Sequence, residues 1–496
     1  MYTAADPLNR VEKDTEEYRD HINTVNAQGK RAWIFAKKPK GKFYNWRTLV
    51  SYVLLFLMFA GPYVRIHGQP ILLLNILERK FILFGFVFWP QDFYIVVLGL
   101  LAMILTIVLF TSVFGRIWCG WTCPQTIFLE MLFRKIEYAI EGDFQEQKQL
   151  AIAPWTGGKI VKKTTKIVVF YVLSFVIANT FLSYIIGSEE LWKIIREPVA
   201  QHIGGFIAIN LFTVIFFLVF ARFREQACHF ACPYGRFQSA LVDNDTINVT
   251  YDFKRGEKRG TLGQRKKSGP IALTAGGAAL ATSASASAYG DCIDCGACVV
   301  VCPEGIDIRN GIQLECIQCT ACIDACNKMM HAVGKPPGLI RYTSYNTVAA
   351  GSPAGHKIPV KFRTVGYLTL WLVLVSAFAY LVLAREKIET VLLRQPGMLA
   401  QKLPDGYVTN LYSLKIFNKT FDAQNAEIRL ADIPGEIRLI DPVGEIGPQK
   451  VAEARFFIAL KSELITGASR PVELEVWSNG KLIKKKKTVF IAAGGT

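Results

Sequence analysis

No cysteine follows Cys326 in this chain of 496 residues. A disulfide framework is thereby excluded from the C-terminal region, where any domain must be held by apolar packing. Acidic residues are also short: 40 Asp and Glu face 57 Lys and Arg, a net charge of +17. Such an excess raises nucleic acid as a partner, but basic motifs interleaved with aromatics are missing, so that partner is set aside. A polar composition is missing too. With 51% hydrophobic residues the chain is too apolar for an ordinary soluble protein. Membrane spans are expected, and basic cytoplasmic loops then account for the charge. The length allows about three domains at ~150 residues each.

Five apolar segments approach the ~20 residues that a bilayer requires. They are Leu49–Val64, Phe93–Phe114, Val168–Gly187, Ile203–Phe223 and Gly366–Ala384. Arg31, Lys37, Lys38, Lys40, Lys42 and Arg47 precede the first, which puts the N-terminus inside by the positive-inside rule. Residues 116–166 and 224–363 are basic and also inside; Ser188–His202, with three acids and two bases, is outside. Five crossings leave 385–496 outside. No cleavable signal is expected before the first span. Ile71–Trp89 carries Glu78-Arg79-Lys80 at its centre and reads as an interfacial excursion on the outer side. The Ala/Ser/Gly-rich stretch 268–290 reads as a flexible linker.

Eight cysteines form two tandem runs. Cys292, Cys295, Cys298, Cys302 and Pro303 give C-x2-C-x2-C-x3-C-P; Cys316, Cys319, Cys322 and Cys326 repeat the spacing, with Asn327 for proline. This is the bacterial two-cluster ferredoxin signature. Three cysteines at x2 intervals wrap three corners of a 4Fe–4S cube, and the fourth ligand comes from the other run. Cys292, Cys295, Cys298 and Cys326 are therefore expected to hold one cluster; Cys316, Cys319, Cys322 and Cys302 the other. Zinc sites use pairs of cysteines rather than runs of four.

The other four cysteines also repeat. Cys119-Gly-Trp-Thr-Cys123-Pro124 follows the second span, and Cys228-His-Phe-Ala-Cys232-Pro233 follows the fourth. Each is C-x3-C-P at the inner end of a span. Residues i and i+4 share a helix face, although the prolines allow a loop. Four thiolates converging from two related hairpins suit a soft metal: Cu(I), zinc or an Fe–S centre. Inert buried cysteines are the plainer reading, and a redox dithiol the third. Arg116 and Arg236 would favour thiolates. His229 is a further candidate ligand beside the more ordinary reading of a solvated or core histidine.

Beyond the fifth span, six short segments alternate or run apolar: Tyr412–Asn418, Glu427–Leu430, Ile437–Ile440, Ala454–Leu460, Val472–Trp477 and Lys487–Ile491. Turn signals such as Ser478-Asn479-Gly480 separate them. The pattern predicts an immunoglobulin-like β-sandwich without a Cys–Cys core pair, either an anchor or a docking module.

The expected fold is thus an α+β membrane protein: a transmembrane helical bundle with a cytoplasmic two-cluster ferredoxin insert and a C-terminal immunoglobulin-like sandwich. It comprises a basic N-terminal segment at 1–48, four spans in two hairpins at 49–223, the second C-x3-C-P and linker at 224–290, the ferredoxin domain at 291–363, the fifth span at 366–384 and the outer domain at 385–496.

FGFVFWPQDF before the second span, WCGWTCPQTIFLEMLFRKIE after it, ACPYGRFQSALVDNDT after the fourth, the double cluster run and GLIRYTSYN at 338–346 together resemble the CcoG/FixG/RdxA family. These are accessory proteins for assembly of cbb-type cytochrome c oxidase, and the resemblance covers most of the chain. It implies a membrane-bound polyferredoxin of the bacterial inner membrane with two 4Fe–4S clusters. It further implies reduction of Cu(II) to Cu(I) at or near Cys119, Cys123, Cys228 and Cys232. The implied partners are the lipid bilayer, copper, oxidase assembly factors, an electron donor that is a cytosolic reductant or quinol, and a second copy in a homodimer. The alternatives are a quinol-linked relay of the NapH/NosR type and a non-catalytic copper-docking scaffold. The long linker at 268–290 departs from the more compact joining in the family.

Overall fold

Apolar runs become membrane-length helices where hydropathy predicts them, with ends set by contacts that hydropathy does not contain. In this computed structural model the described residues are 25, 30–66, 68–76, 80–84, 86–267, 289–351, 361–395, 400–431, 433–441, 444–465, 467–478 and 480–492. Most of the linker, 268–288, and the acidic–basic pair 78–79 lie outside them. Five helices among the described residues are long and apolar enough to span a bilayer: Lys42–Ala60, Pro90–Phe114, Gly157–Ile186, Ile203–Phe223 and Phe362–Leu383. The chain divides into two units, Met1–Tyr63 with Val97–Val375, and Val64–Val96 with Ser376–Thr496.

Four of the five helices start before the predicted spans, the first and third by the most residues. The first begins at Lys42, where the Asp324 carboxylate accepts hydrogen bonds from the backbone N–H groups of Phe43 (3.3 Å) and Tyr44 (2.9 Å). A carboxylate there satisfies orphan donors and complements the helix dipole. The helix ends at Ala60, before Gly61-Pro62, rather than at Val64. The third begins at Gly157, where the Thr156 hydroxyl caps Lys159 N–H. Its first turns are basic, so hydropathy misses them, but they are paired: Lys163 reaches Glu141 (2.8 Å) and Lys166 reaches Glu137 (2.6 Å).

Those glutamates belong to a buried ionic layer on the helix that ends at Glu141. Arg134 pairs with Glu130 (2.9 Å) and Glu225, while Arg224 pairs with Glu137 (3.0 Å). The six side chains Glu130, Arg134, Glu137, Glu141, Arg224 and Glu225 are all at most 7% exposed. Each charge is costly to bury alone and is tolerated because the partners are in place.

The ferredoxin region packs against the same ends of several spans. Asp324 holds the start of the first helix, and Asn248–Tyr251 pairs antiparallel with Ile340–Thr343 inside GLIRYTSYN. Arg363, at the start of the fifth helix, donates to the Leu241 carbonyl (2.9 Å) and the Asp243 carboxylate (3.1 Å).

In the other unit, Ile388–Arg394, Tyr407–Asn418, Val451–Lys461 and Gly435–Leu439 form one antiparallel sheet, with Gln401–Lys402 beside Tyr407–Asn418. Glu445–Ile446, Gln424–Leu430, Ser469–Ser478 and Lys481–Ile491 form the second. Alternate residues face inward: Tyr412, Leu414, Ile416, Phe456, Ile458 and Leu460 from the first sheet meet Val472, Leu474, Val476 and Phe490 from the second. The Tyr412 hydroxyl donates across the sandwich to the Val489 carbonyl (2.9 Å). The expected sandwich is present, with one more long strand, Ile388–Arg394, than the alternation indicated. That strand begins just after Arg385-Glu386-Lys387, and Val391-Leu392-Leu393 breaks its alternation.

Ile71–Trp89 is not a span but a three-stranded antiparallel sheet of Leu72–Asn75, Lys80–Leu83 and Phe86–Phe88. It belongs to the sandwich unit, where Trp89 packs on Phe417 and buried Asp92 accepts from Lys419 (2.7 Å) and Arg385 (2.5 Å). Asp92→Ala leaves two buried cations short of a partner. We expect a cost of about 3–5 kcal/mol, read as faster protease cleavage within 64–92 of the full chain in detergent.

Glu137 gives a pH prediction. Burial alone would raise its pKa, but Arg224 and then Lys166 outweigh that and bring it down from 4.5 to about 2. A depressed carboxylate stabilises the fold above its unfolded pKa and loses that contribution as pH falls through the folded one. Stability followed by circular dichroism should therefore drain between pH 4.5 and about 2. Glu137→Gln should be weaker at neutral pH by roughly 3 kcal/mol and lose that acid limb.

Candidate redox and metal centres

The two ferredoxin runs adopt one local geometry. Positive φ occurs two and four residues after the first cysteine of each: Asp294 (50°) and Gly296 (64°), then Gln318 (55°) and Thr320 (64°). Gly296 and Thr320 each stand just before a helix, Ala297–Val300 and Ala321–Ala332. Such a turn folds three cysteines around one centre. The first cavity is lined by Cys292, Cys295, Cys298 and Cys326. The second is lined by Cys302, Cys316, Cys319 and Cys322, with Cys298 between the two. Four thiols around a mostly apolar cavity are the donor set that a cube needs, so the residues fit the group. Cys295 is exposed, whereas Cys292, Cys298, Cys319 and Cys326 are buried.

The C-x3-C-P segments are also one structure built twice. Each span ends at a residue of positive φ, Gly115 (59°) or Arg224 (53°). A helical turn follows, Ile117–Trp121 or Ala227–Ala231, and carries the first cysteine. The second cysteine, Cys123 or Cys232, is extended and stands immediately before a helix whose first residue is proline. Proline suits that position because its missing N–H would be unpaired there anyway. The turn at Ala227–Ala231 and the neighbouring Val219–Phe223 and Ile127–Phe133 are π-helical, a form that recurs at functional sites.

Side chains bring the repeats together. Gln238, after Cys232, donates to Cys119 Sγ (3.3 Å) and accepts from Arg116 Nε. The hydroxyls of Thr111 and Tyr234 meet at 2.5 Å. Cys119 lies within electrostatic reach of Cys123 and Cys232, and Cys228 within reach of all three. Burial pushes the Cys119 thiol up, against the Gln238 hydrogen bond and the Arg116 charge. Burial, followed by the Glu304 charge, pushes Cys228 up. Arg116 thus favours the Cys119 thiolate as expected, but burial prevails; the Arg236 side chain lies outside the described residues.

Both repeats touch the second ferredoxin cavity. A Cβ on Gly120, between Cys119 and Cys123, would collide with the Ile317 carbonyl oxygen and stand 2.9 Å from Gln318 C. The loop between Cys316 and Cys319 thus lies flush on the first motif. Trp121 Nε1 donates to the Tyr342 hydroxyl (3.1 Å), which donates to the Gln318 carbonyl (3.3 Å). From the second motif, His229 Nε2 lies 2.9 Å from Oε2 of Glu304, two residues after Cys302. Among the described residues no three His, Cys, Asp or Glu groups are placed to hold a single metal ion. Gln238, Tyr342, Glu304 and Asp324 had no role in the sequence reading. Their signal is faint: polar residues within a few positions of a cysteine motif or inside a family signature.

Residues 223–345 match the family described as a 4Fe-4S dicluster domain, and residues 96–140 a 4Fe-4S binding domain. Residues 378–493 match the IG-like fold at the C-terminus of FixG. Protein RdxA of Cereibacter sphaeroides is 35% identical over 81% of this chain and 82% of its own length. RdxB of the same organism is 34% identical over 82% and 83%, and the nitrogen fixation protein FixG of Rhizobium meliloti 29% over 88% and 89%. The chain belongs to the FixG/RdxA family. As a family member it is a membrane iron–sulfur electron-transfer protein, combining five apolar helices, 4Fe–4S domains and an immunoglobulin-like domain.

Gly120→Ala tests the contact between this FixG/RdxA protein's first C-x3-C-P motif and its ferredoxin loop. The neighbours are backbone and cannot swing aside, so overpacking should cost about 1–3 kcal/mol. Electron paramagnetic resonance of the reduced protein should show a changed signal from the centre at Cys302, Cys316, Cys319 and Cys322. The signal from the centre at Cys292, Cys295, Cys298 and Cys326 should not change.

Proposed function

We propose that this protein reduces Cu(II) to Cu(I) for assembly of a cbb-type cytochrome c oxidase, with Cys119, Cys123, Cys228 and Cys232 as the point where electrons leave the chain. Cys292, Cys295, Cys298 and Cys326 hold one 4Fe–4S cluster, and Cys316, Cys319, Cys322 and Cys302 the other. Bound cubes supply electrons singly, which matches a metal that changes by one unit. The observation that carries the reading is the seam at Gly120, where the Cys316–Cys319 loop lies against the first dithiol. The protein moiety keeps that path short and dry: Ile317 and Cys319 are buried with Val301 and Ala321, and Cys119 packs on them. Cys295, the exposed member of its set, marks the side for entry of electrons from a cytosolic donor.

The N-terminus, both C-x3-C-P motifs and the ferredoxin region lie on the cytoplasmic side of the inner membrane, and the sandwich is periplasmic. The basic segments before the first span and between the second and third support that orientation. Oxidase assembly factors are the proposed partners, and a homodimer the proposed assembly. A quinol-linked relay is the second reading. It is favoured by the position of the thiols at the inner ends of two spans, with Trp118 43% exposed beside Cys119.

The test uses the full chain in detergent, reduced anaerobically and freed of reductant. Added Cu(II) should give Cu(I), captured by a chelator, as the visible absorbance of the oxidised clusters returns. Clusters that stay reduced in the presence of Cu(II) would sink the copper reading, and rapid reduction by a quinol analogue would support the relay. Cys123→Ser with Cys232→Ser should slow copper turnover about tenfold or more, ~1.4 kcal/mol in barrier, and spare both ferredoxin signals.

A further inference from the structure

Twelve cysteines make three sets of four, and the ferredoxin runs account for two. The remaining set has the features that a third such centre requires. Its thiols come in pairs from two copies of one backbone motif, each with a cysteine in a helical turn and a cysteine just before a proline-led helix. The 4Fe-4S binding domain matched at 96–140 contains only Cys119 and Cys123. A cube takes four thiolates. The missing two, Cys228 and Cys232, are brought alongside by the second repeat, with Gln238 reaching back to Cys119.

Spacing separates the kinds of metal. Mononuclear zinc draws four thiolates to about 2.3 Å from one point. No three of the four thiols are so placed, although Cys228 lies within electrostatic reach of the other three. The eight ferredoxin cysteines share that property. A cube spreads its ligands to its corners, so four thiols need not converge on one point to hold it.

Charge points the same way. Arg47 (2% exposed) and Arg116 (8% exposed) are buried. Arg47 Nε donates to the carbonyl of Gly120, and its charge also acts on Cys319 of the second ferredoxin set. Arg116 binds the neutral Gln238 side chain and the Gly235 carbonyl (3.3 Å). Buried guanidinium groups next to neutral partners are costly unless an anion is close by. A cluster with four thiolate ligands is such an anion, and Cys232 stands at the positive end of the helix Pro233–Leu241.

We infer that Cys119, Cys123, Cys228 and Cys232 ligate a third iron–sulfur cluster of the 4Fe–4S class, between the two hairpins and against the second ferredoxin cavity. This rests on the electron-transfer reading, not on copper as the acceptor. It gives the chain three centres, the third at the inner ends of the spans.

Anaerobically purified full-length protein should contain about 12 irons and about 12 acid-labile sulfides per chain, rather than about 8 of each. Cys123→Ser with Cys232→Ser should bring both to about 8 and leave the two ferredoxin resonance signals in place. About 8 irons in the wild type, with or without zinc or copper at the remaining thiols, would overturn the inference. Full iron in the double variant would overturn it too. The wild-type count decides the matter even where the variant fails to fold. Loss of copper turnover in the variant with a wild-type count of about 8 sinks the third cluster and leaves the copper reading standing. About 12 irons with unchanged copper turnover does the reverse.

Discussion

The seam at Gly120 is the constraint on which the arrangement turns. A backbone with no side chain lets the Ile317-Gln318 loop close on the first C-x3-C-P motif, with Arg47 bound to the Gly120 carbonyl from the other side. Gly115, just before that motif, has a related role. A Cβ there would collide with the Asn248 side chain and meet the Gln318 side chain at 2.6 Å. Two glycines therefore set how near the soluble-type module comes to the membrane-embedded one. Larger residues would wedge a layer of atoms between the Ile317-Gln318 loop and the first C-x3-C-P motif.

The second repeat meets the same module differently. Its residue equivalent to Gly120 is His229, which reaches Glu304 instead of admitting a loop. One motif is joined to the ferredoxin region by close backbone packing and the other by the side-chain contact of His229 with Glu304. The ionic layer of Glu130, Arg134, Glu137, Arg224 and Glu225 then ties the segments after Cys123 and before Cys228 to each other. A pseudo-symmetric pair of dithiols is thus held on an asymmetric base.

Much of this was legible in the sequence. Cysteine spacing carries the grouping of the eight ferredoxin cysteines about two cavities, and hydropathy carries the spans because lipid imposes its own period-free apolar length. The immunoglobulin-like domain showed through its alternation, except for Ile388–Arg394, where Val391-Leu392-Leu393 breaks the pattern. The starts of the first and third helices were hidden because Lys42–Arg47 and Lys159–Lys166 are polar and depend on distant acids. Gln238, Tyr342 and Glu304 were hidden for a similar reason. Their roles come from contacts between segments far apart in the chain, for which a single sequence has no period or spacing to read.

Asp324 has a consequence for biogenesis. It stands between Cys322 and Cys326 and caps a helix that begins more than 280 positions earlier. The ribosome makes that helix first and its cap much later, after four spans have been threaded. The amino-terminal end of the first span must therefore stay unfinished, its N–H groups answered by water or headgroups, until the ferredoxin turn has formed. Since that turn shapes itself around inorganic material, completion of the first span is tied to the delivery of iron and sulfide.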